Sequence, residues 1–180
     1  MITTKFEVPT RDQVSPANRE IFDSLQQKLG FVPNIYATYA LSDHALGRYL
    51  AYAGGATSLS NREKEVVNLV VSQVNDCRYC QAAHTAIAKM NGFSDAQILE
   101  IRRGSASFDH RLDALARLTR NIALNRGRID EENLERFFSA GYDNGSLVDL
   151  IVAIGEKTTT NLLHKVTDIP LDFPPAPVLE

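Results

Sequence analysis

Cys77 and Cys80 are the only two cysteines in a chain of 180 residues, and His84 follows four positions after the second. On a helix these are positions i, i+3 and i+7, which fall within roughly 60° of one another, so the three side chains share one face. Cys80 and His84 are i, i+4 neighbours, close enough for an imidazole nitrogen to take a thiol proton. Cys77 and Cys80, one turn apart in a helix's first turn, are spaced to close a disulfide. The positive end of the helix dipole lowers a thiol's pKa below its free value of about 8.5, and Asp76 is placed to cap that end. An acid arrives from upstream. Glu65 lies among Val66, Val67, Val70 and Val71, and a carboxylate on an apolar helix face needs a partner such as histidine.

Two readings without redox chemistry compete. The cysteines could be a buried structural pair, or Cys77, Cys80, His84 and Glu65 could ligate zinc. Ligands crowded into the first turns of one helix seldom wrap a tetrahedral ion without a second hairpin. The coincidence of thiol pair, histidine and acid favours redox chemistry. Which thiol reacts is a contest between two effects. The dipole favours Cys77, at about 0.3–1 kcal/mol for an exposed site, whereas the histidine favours Cys80 and can shift a thiol by several pKa units. Cys80 is the expected nucleophile.

The elements that must position these groups read as helices throughout. Ser15-Pro16 opens a helix with Ile21, Phe22, Leu25 and Leu29 on one face, stopped by Gly30. Phe31-Val32-Pro33-Asn34 turns into a short helix through Tyr39. Ser42 is the expected cap of a third, carrying Leu46, Tyr49, Leu50 and Ala53. Ser60-Asn61-Arg62-Glu63 is a capping box. The valines at 66, 67, 70, 71 and 74 follow it at a period nearer 3.6 than 2, which predicts helix despite their β-branching. The redox helix is expected from Cys77 to Asn91-Gly92, with Asp76 as cap. Further helices start at Ser94, Asp109 and Asp130 and near Ser146, the last carrying Leu150, Ile151, Ile154, Leu162 and Leu163. The prolines at 170, 174, 175 and 177 predict an extended tail. The expected fold is an all-α, single-domain helical bundle over 1–180, with a 1–59 N-terminal helical extension and a 166–180 extended C-terminal tail.

Composition narrows the function classes. With 44% hydrophobic and 23% charged residues, the chain is neither disordered nor fibrous. A net charge of -3 leaves no basic excess for phosphates, so nucleic acid is not expected as a partner. No apolar run approaches the roughly 18 residues of a membrane span. The first residues form no apolar signal core, and a cytoplasmic protein is the expectation. His44, His110 and His164 have no partner at catalytic spacing and read as surface or capping residues. Arg102, Arg103, Arg111, Arg117, Arg120, Arg126 and Arg128 read as a solvated or inter-subunit face that Asp109 and Asp113 pair with. Tyr36, Tyr39, Tyr49 and Tyr52 read as core or interface aromatics.

Glu65, eleven residues, Cys77-Arg78-Tyr79-Cys80, three residues and His84 together resemble the signature of the alkylhydroperoxidase D-like (AhpD-like) branch of the carboxymuconolactone decarboxylase superfamily. Leu29-Gly30-Phe31-Val32-Pro33-Asn34 and Ile169-Pro170-Leu171-Asp172 are similar to its longer, peroxidase-related members. The resemblance implies an all-helical oligomer that reduces hydroperoxides with a cysteine pair recycled by a dithiol electron-donor protein. By position, Cys80 would be the peroxidatic thiol and Cys77 the resolving one. His84 would be the base and Glu65 the support of its proton relay. No cofactor or metal is implied. A trimer or hexamer is favoured over a dimer. Tyr79 stands where the best-known members carry histidine, and it is expected to pack rather than relay protons. The alternatives are a lactone decarboxylase, whose family representatives lack the cysteine pair, and a non-enzymatic redox sensor or zinc-stabilised module.

Overall fold

The computed structural model describes residues 6–179. Within them there is no β-strand, and the valine segment is helical, as its period predicted. Burial explains why. Val66, Val67, Leu69, Val70 and Val71 are all 0% exposed, and burying each such side chain contributes about 1.5–3 kcal/mol. That outweighs the few tenths of a kcal/mol by which valine disfavours helix. The helix, α4 (Asn61–Val74), is buried nearly all round, as a central helix must be. Ser60 and Glu63 close the predicted capping box at its start.

The described residues group into two compact units, one from Met1–Gly55 with Leu163–Asp172, the other from Ala56–Leu162 with Phe173–Glu180. The first holds a 3-10 turn, Arg11–Gln13, then α1 (Pro16–Leu29), α2 (Asn34–Tyr39) and α3 (Ala45–Ala53). Ser15 caps α1, and Gly30 ends it at φ 82°, a left-handed conformation that glycine adopts without steric cost. Leu29 is exposed and does not join the inward face expected of it. Ser42 acts one step removed from its expected role. Its hydroxyl accepts from Ala45 N at 3.3 Å, while His44 is the N-cap residue of α3.

The second unit is built around α4, which packs against α5 (Arg78–Met90), α6 (Asp95–Arg102) and α7 (His110–Asn125). Two further helices, α8 (Glu131–Ser139) and α9 (Asn144–Thr167), complete the chain's helical part. Phe137, Leu115, Leu118 and Leu150 join the α4 valines in one apolar core. Of the residues expected inward on the last helix, Ile151 and Leu162 are exposed, whereas Leu150 and Ile154 are buried.

The connection from α4 to α5 departs from the expected capping. Asn75 ends α4, and Asp76 adopts φ 50°, a left-handed turn that aspartate tolerates better than most residues. The extended residue that begins the next helix is therefore Cys77, not Asp76. Cys77 N donates to Ser72 O at 3.0 Å, which ties the turn back onto α4. Its own sulfur is the N-cap of α5, accepting from Cys80 N at 3.3 Å.

Candidate functional site

α4 and α5 bring all four sequence-predicted residues into the second unit. The Cys77 and Cys80 sulfurs lie 2.7 Å apart as free, buried thiols. Across from them, His84 Nδ1 lies 2.8 Å from Glu65 Oε2, with the two side chains 12% and 8% exposed. The predicted carboxylate–imidazole pair is thus present. With Nδ1 engaged by Glu65, Nε2 is the nitrogen left for proton exchange. Asn68, one turn beyond Glu65 on α4, donates Nδ2 to Glu65 Oε1 at 2.9 Å.

Burial opposes the charge of Glu65, but the charge and hydrogen bond of His84, the Asn68 amide and the charge of Lys157 outweigh it. The net effect holds the carboxyl below its usual range. The thiols behave as one unit. Cys80 is pushed up, first by its hydrogen bond with Cys77, then by burial and by charge on Cys77. Lys157 and a hydrogen bond from Asn161 act the other way. Two sulfurs this close titrate as a pair, and removing the second proton is much harder than removing the first. The pair can therefore carry a single negative charge shared across 2.7 Å.

Lys157 and Asn161 are the site residues that sequence reasoning missed. Their signal was positional. On α9, Leu150, Ile154, Lys157 and Asn161 recur at helical spacing, and all four are buried. Two polar side chains thus continue an apolar stripe. The Asn161 amide is oriented by its neighbours: Oδ1 accepts from Asn75 Nδ2 at 2.9 Å, which turns Nδ2 toward Ser72 Oγ and the Cys80 sulfur.

Other expectations divide. Tyr79 is 1% exposed and meets Phe173 edge-on with ring centroids 5.9 Å apart, so it packs, as expected. Arg102 is not part of a solvated face. It is 3% exposed and donates to Gln73, Gln81 and the carbonyl of Pro177, because three buried acceptors converge on its guanidinium. Arg111 binds Glu63 at 3.0 Å and lies over the Tyr142 ring. Asp113 does pair with Arg117, at 2.6 Å, whereas Asp109 caps α7 instead. His164, read as a surface residue, is 3% exposed. Among the described residues, no three His, Cys, Asp or Glu side chains are grouped so as to hold a metal ion. No described helix is long and apolar enough to cross a membrane.

The class of protein follows from fold and pattern together. Residues 42–121 match the Carboxymuconolactone decarboxylase family, a segment that contains Glu65, Cys77, Cys80 and His84 and ends before α9. The resemblance read from the sequence is thereby shown, and the all-α fold is that of AhpD-like, peroxidase-related proteins. One of these, an uncharacterized peroxidase-related protein from Silicibacter sp. TM1040, is 25% identical with a TM-score of 0.81. The match covers 97% of this chain and 93% of that one. A peroxidase-related protein with an alkylhydroperoxidase AhpD core, from Ralstonia eutropha JMP134, is 20% identical. It matches over 93% and 92% of the two chains with a TM-score of 0.84. The debrominase Bmp8 has the same fold at 15% identity, a TM-score of 0.75 and coverage of 94% and 92%. No curated protein matches the chain. These likenesses support a peroxidase-related or decarboxylase-like function.

Proposed function

We propose that this chain is a thiol-dependent hydroperoxide reductase, an alkylhydroperoxidase-like oxidoreductase working through Cys80 and Cys77. The observation that carries the reading is the thiol pair with its sulfurs 2.7 Å apart, beside an imidazole held by a buried carboxylate. His84 takes the Cys80 proton while Glu65 steadies the imidazolium that forms. The Cys80 thiolate attacks the terminal oxygen of a small hydroperoxide. An S–O bond forms, the O–O bond breaks, and the alkoxide recovers the proton from His84 and leaves as alcohol. Cys77 then attacks the Cys80 sulfenic acid. An S–S bond forms, the S–O bond breaks, and hydroxide leaves with the Cys77 proton as water. A dithiol protein returns two electrons and two protons to the disulfide, which must be reduced in every turnover. No cofactor enters the cycle.

The same reading takes the protein as a cytoplasmic homo-oligomer, trimeric or hexameric. Exposed Val148, Ile151 and Val152, spaced along one side of α9, are apolar surface that assembly would cover. A lactone decarboxylase would leave the thiol pair without a task. A redox sensor would oxidise but not turn over.

The test is consumption of cumene hydroperoxide with dithiothreitol as reductant, run beside sulfenate trapping in Cys77→Ser and Cys80→Ser. Multiple turnovers, with sulfenate trapped on Cys80 in Cys77→Ser, are expected. One turnover at most would favour the sensor, and sulfenate on Cys77 in Cys80→Ser alone would reverse the two roles.

A further inference from the structure

Cys77 and Cys80 compete for one negative charge, and the sequence supplies arguments for both. Cys77 Sγ sits at the N-terminus of α5 and accepts the backbone N–H of Cys80 at 3.3 Å, so the helix end stabilises charge there. Cys80 lies one turn further in, where that field is weaker. What faces Cys80 is the polar part of the α9 stripe. Lys157 is 5% exposed, a rare degree of burial for lysine, and its charge reaches both Cys80 and Glu65. Its nearest acid is Glu156, 3.6 Å away on the same helix. Asn161, 1% exposed, is clamped by Asn75 and Ser72 with its amide nitrogen toward the Cys80 sulfur. Ser72 also anchors the redox turn, since its carbonyl accepts from Cys77 N and from Gln81 Nε2. α9 is thus braced against the same residue that fixes the two thiols.

We infer that Lys157 and Asn161 are positioning residues that draw the pair's negative charge onto Cys80 and so select Cys80, rather than Cys77, as the attacking sulfur. The buried charged groups around the pair are Glu65 from α4, His84 from α5, and Lys157 with Glu156 from α9, while Arg102 of α6 reaches Gln81. Asp76 and Arg78, the chain neighbours of Cys77, are exposed and screened by solvent. Within this set Lys157 is the cation whose field acts on Cys80. Both residues lie outside the segment 42–121 that matches the family, so this selection is a property of this chain's own α9. The inference rests on the proposed peroxidase reading for its consequence, but not for its test.

That test needs no peroxide. Thiolate formation is followed by ultraviolet absorbance against pH in Cys77→Ser, which reports Cys80, and in Cys80→Ser, which reports Cys77. Each is measured with and without Lys157→Met. Lys157→Met is expected to raise the proton affinity of Cys80 by about tenfold or more, one unit of midpoint, and that of Cys77 by clearly less. Lys157→Arg should restore the Cys80 midpoint, and Asn161→Leu should move it the same way as Lys157→Met. Equal shifts at both cysteines, or none at Cys80, would overturn the inference. Matching helical circular dichroism across the variants separates it from a folding defect. A protein that titrates as described but consumes no peroxide would retain this inference and lose the proposed activity.

Discussion

Glu63 and Glu65 stand two residues apart on α4, equally buried, both held below the usual carboxylate range, and they do different work. Two residues on a helix are about 200° of rotation, so the pair face opposite sides. Glu63 Oε2 closes the capping box on Ser60 N, and Oε1 accepts from the Tyr142 hydroxyl at 2.8 Å and from Arg111 Nε at 3.0 Å. Burial opposes its charge, but those donors outweigh it. Its cation is an arginine, which keeps its proton at any working pH. Glu65 is partnered instead by an imidazole and by the charge of a buried lysine, beside a thiol pair. A buried carboxylate alone does not mark a reactive site. A partner that can gain and lose a proton near neutral pH does.

The largest difference should appear in the chemistry. Glu65→Gln keeps the side chain's shape but cannot stabilise an imidazolium, so peroxide-driven thiol loss at pH 7 should slow by about 100-fold. Its stability should change by only about 1 kcal/mol, because a hydrogen bond to His84 survives. Stopped-flow thiol titration and chemical denaturation measure the two effects separately. An unchanged rate would erase the contrast.

The converse holds for Glu63. Glu63→Ala removes the capping acceptor and strands the Tyr142 hydroxyl, at about 2 kcal/mol of unfolding free energy, discounted because Arg111 is half-exposed. The oxidation rate of the folded fraction should stay within about twofold of wild type, since Glu63 faces away from the thiols. Tyr142→Phe, losing only one donor, should cost about 1 kcal/mol with the same indifference in rate.

The smallest effect is the acid limb of stability. Both carboxyls have folded values below their ordinary one of 4.5, so each contributes stability that is present above about pH 4.5 and is lost as pH falls through the folded value. Denaturation between about pH 6 and pH 3 should show this loss, and Glu63→Ala and Glu65→Gln should each make the limb shallower. A limb equally steep in both variants would mean that neither carboxylate is ionised in the folded protein.

The contrast between the two glutamates was half visible in the sequence. Glu63 announces itself as the third residue after Ser60, and Glu65 as a charge among valines. Both signals are local, and so are the helix periods and the thiol, thiol, histidine face that the structure retains. What stayed hidden depends on distant chain segments. Arg111 and Tyr142 reach Glu63 from 48 and 79 residues away, and nothing near Glu63 encodes them. Lys157 and Asn161 sit in a polar Lys-Thr-Thr-Thr-Asn run that reads as solvated until α9 is seen to bury it. Asp76 misled for a local reason. Aspartate is a good cap, but here the chain needs a left-handed residue to turn sharply after α4, and the capping role passes to the Cys77 sulfur.

The central claim is that Cys77 and Cys80 are a working dithiol rather than a packed pair. Intact mass and free-thiol count, before and after one equivalent of cumene hydroperoxide, test it most directly. The account predicts rapid loss of both thiols with a fall of about 2 Da, the two hydrogens given up as the disulfide closes. Thiols that stay reduced in excess peroxide would contradict it.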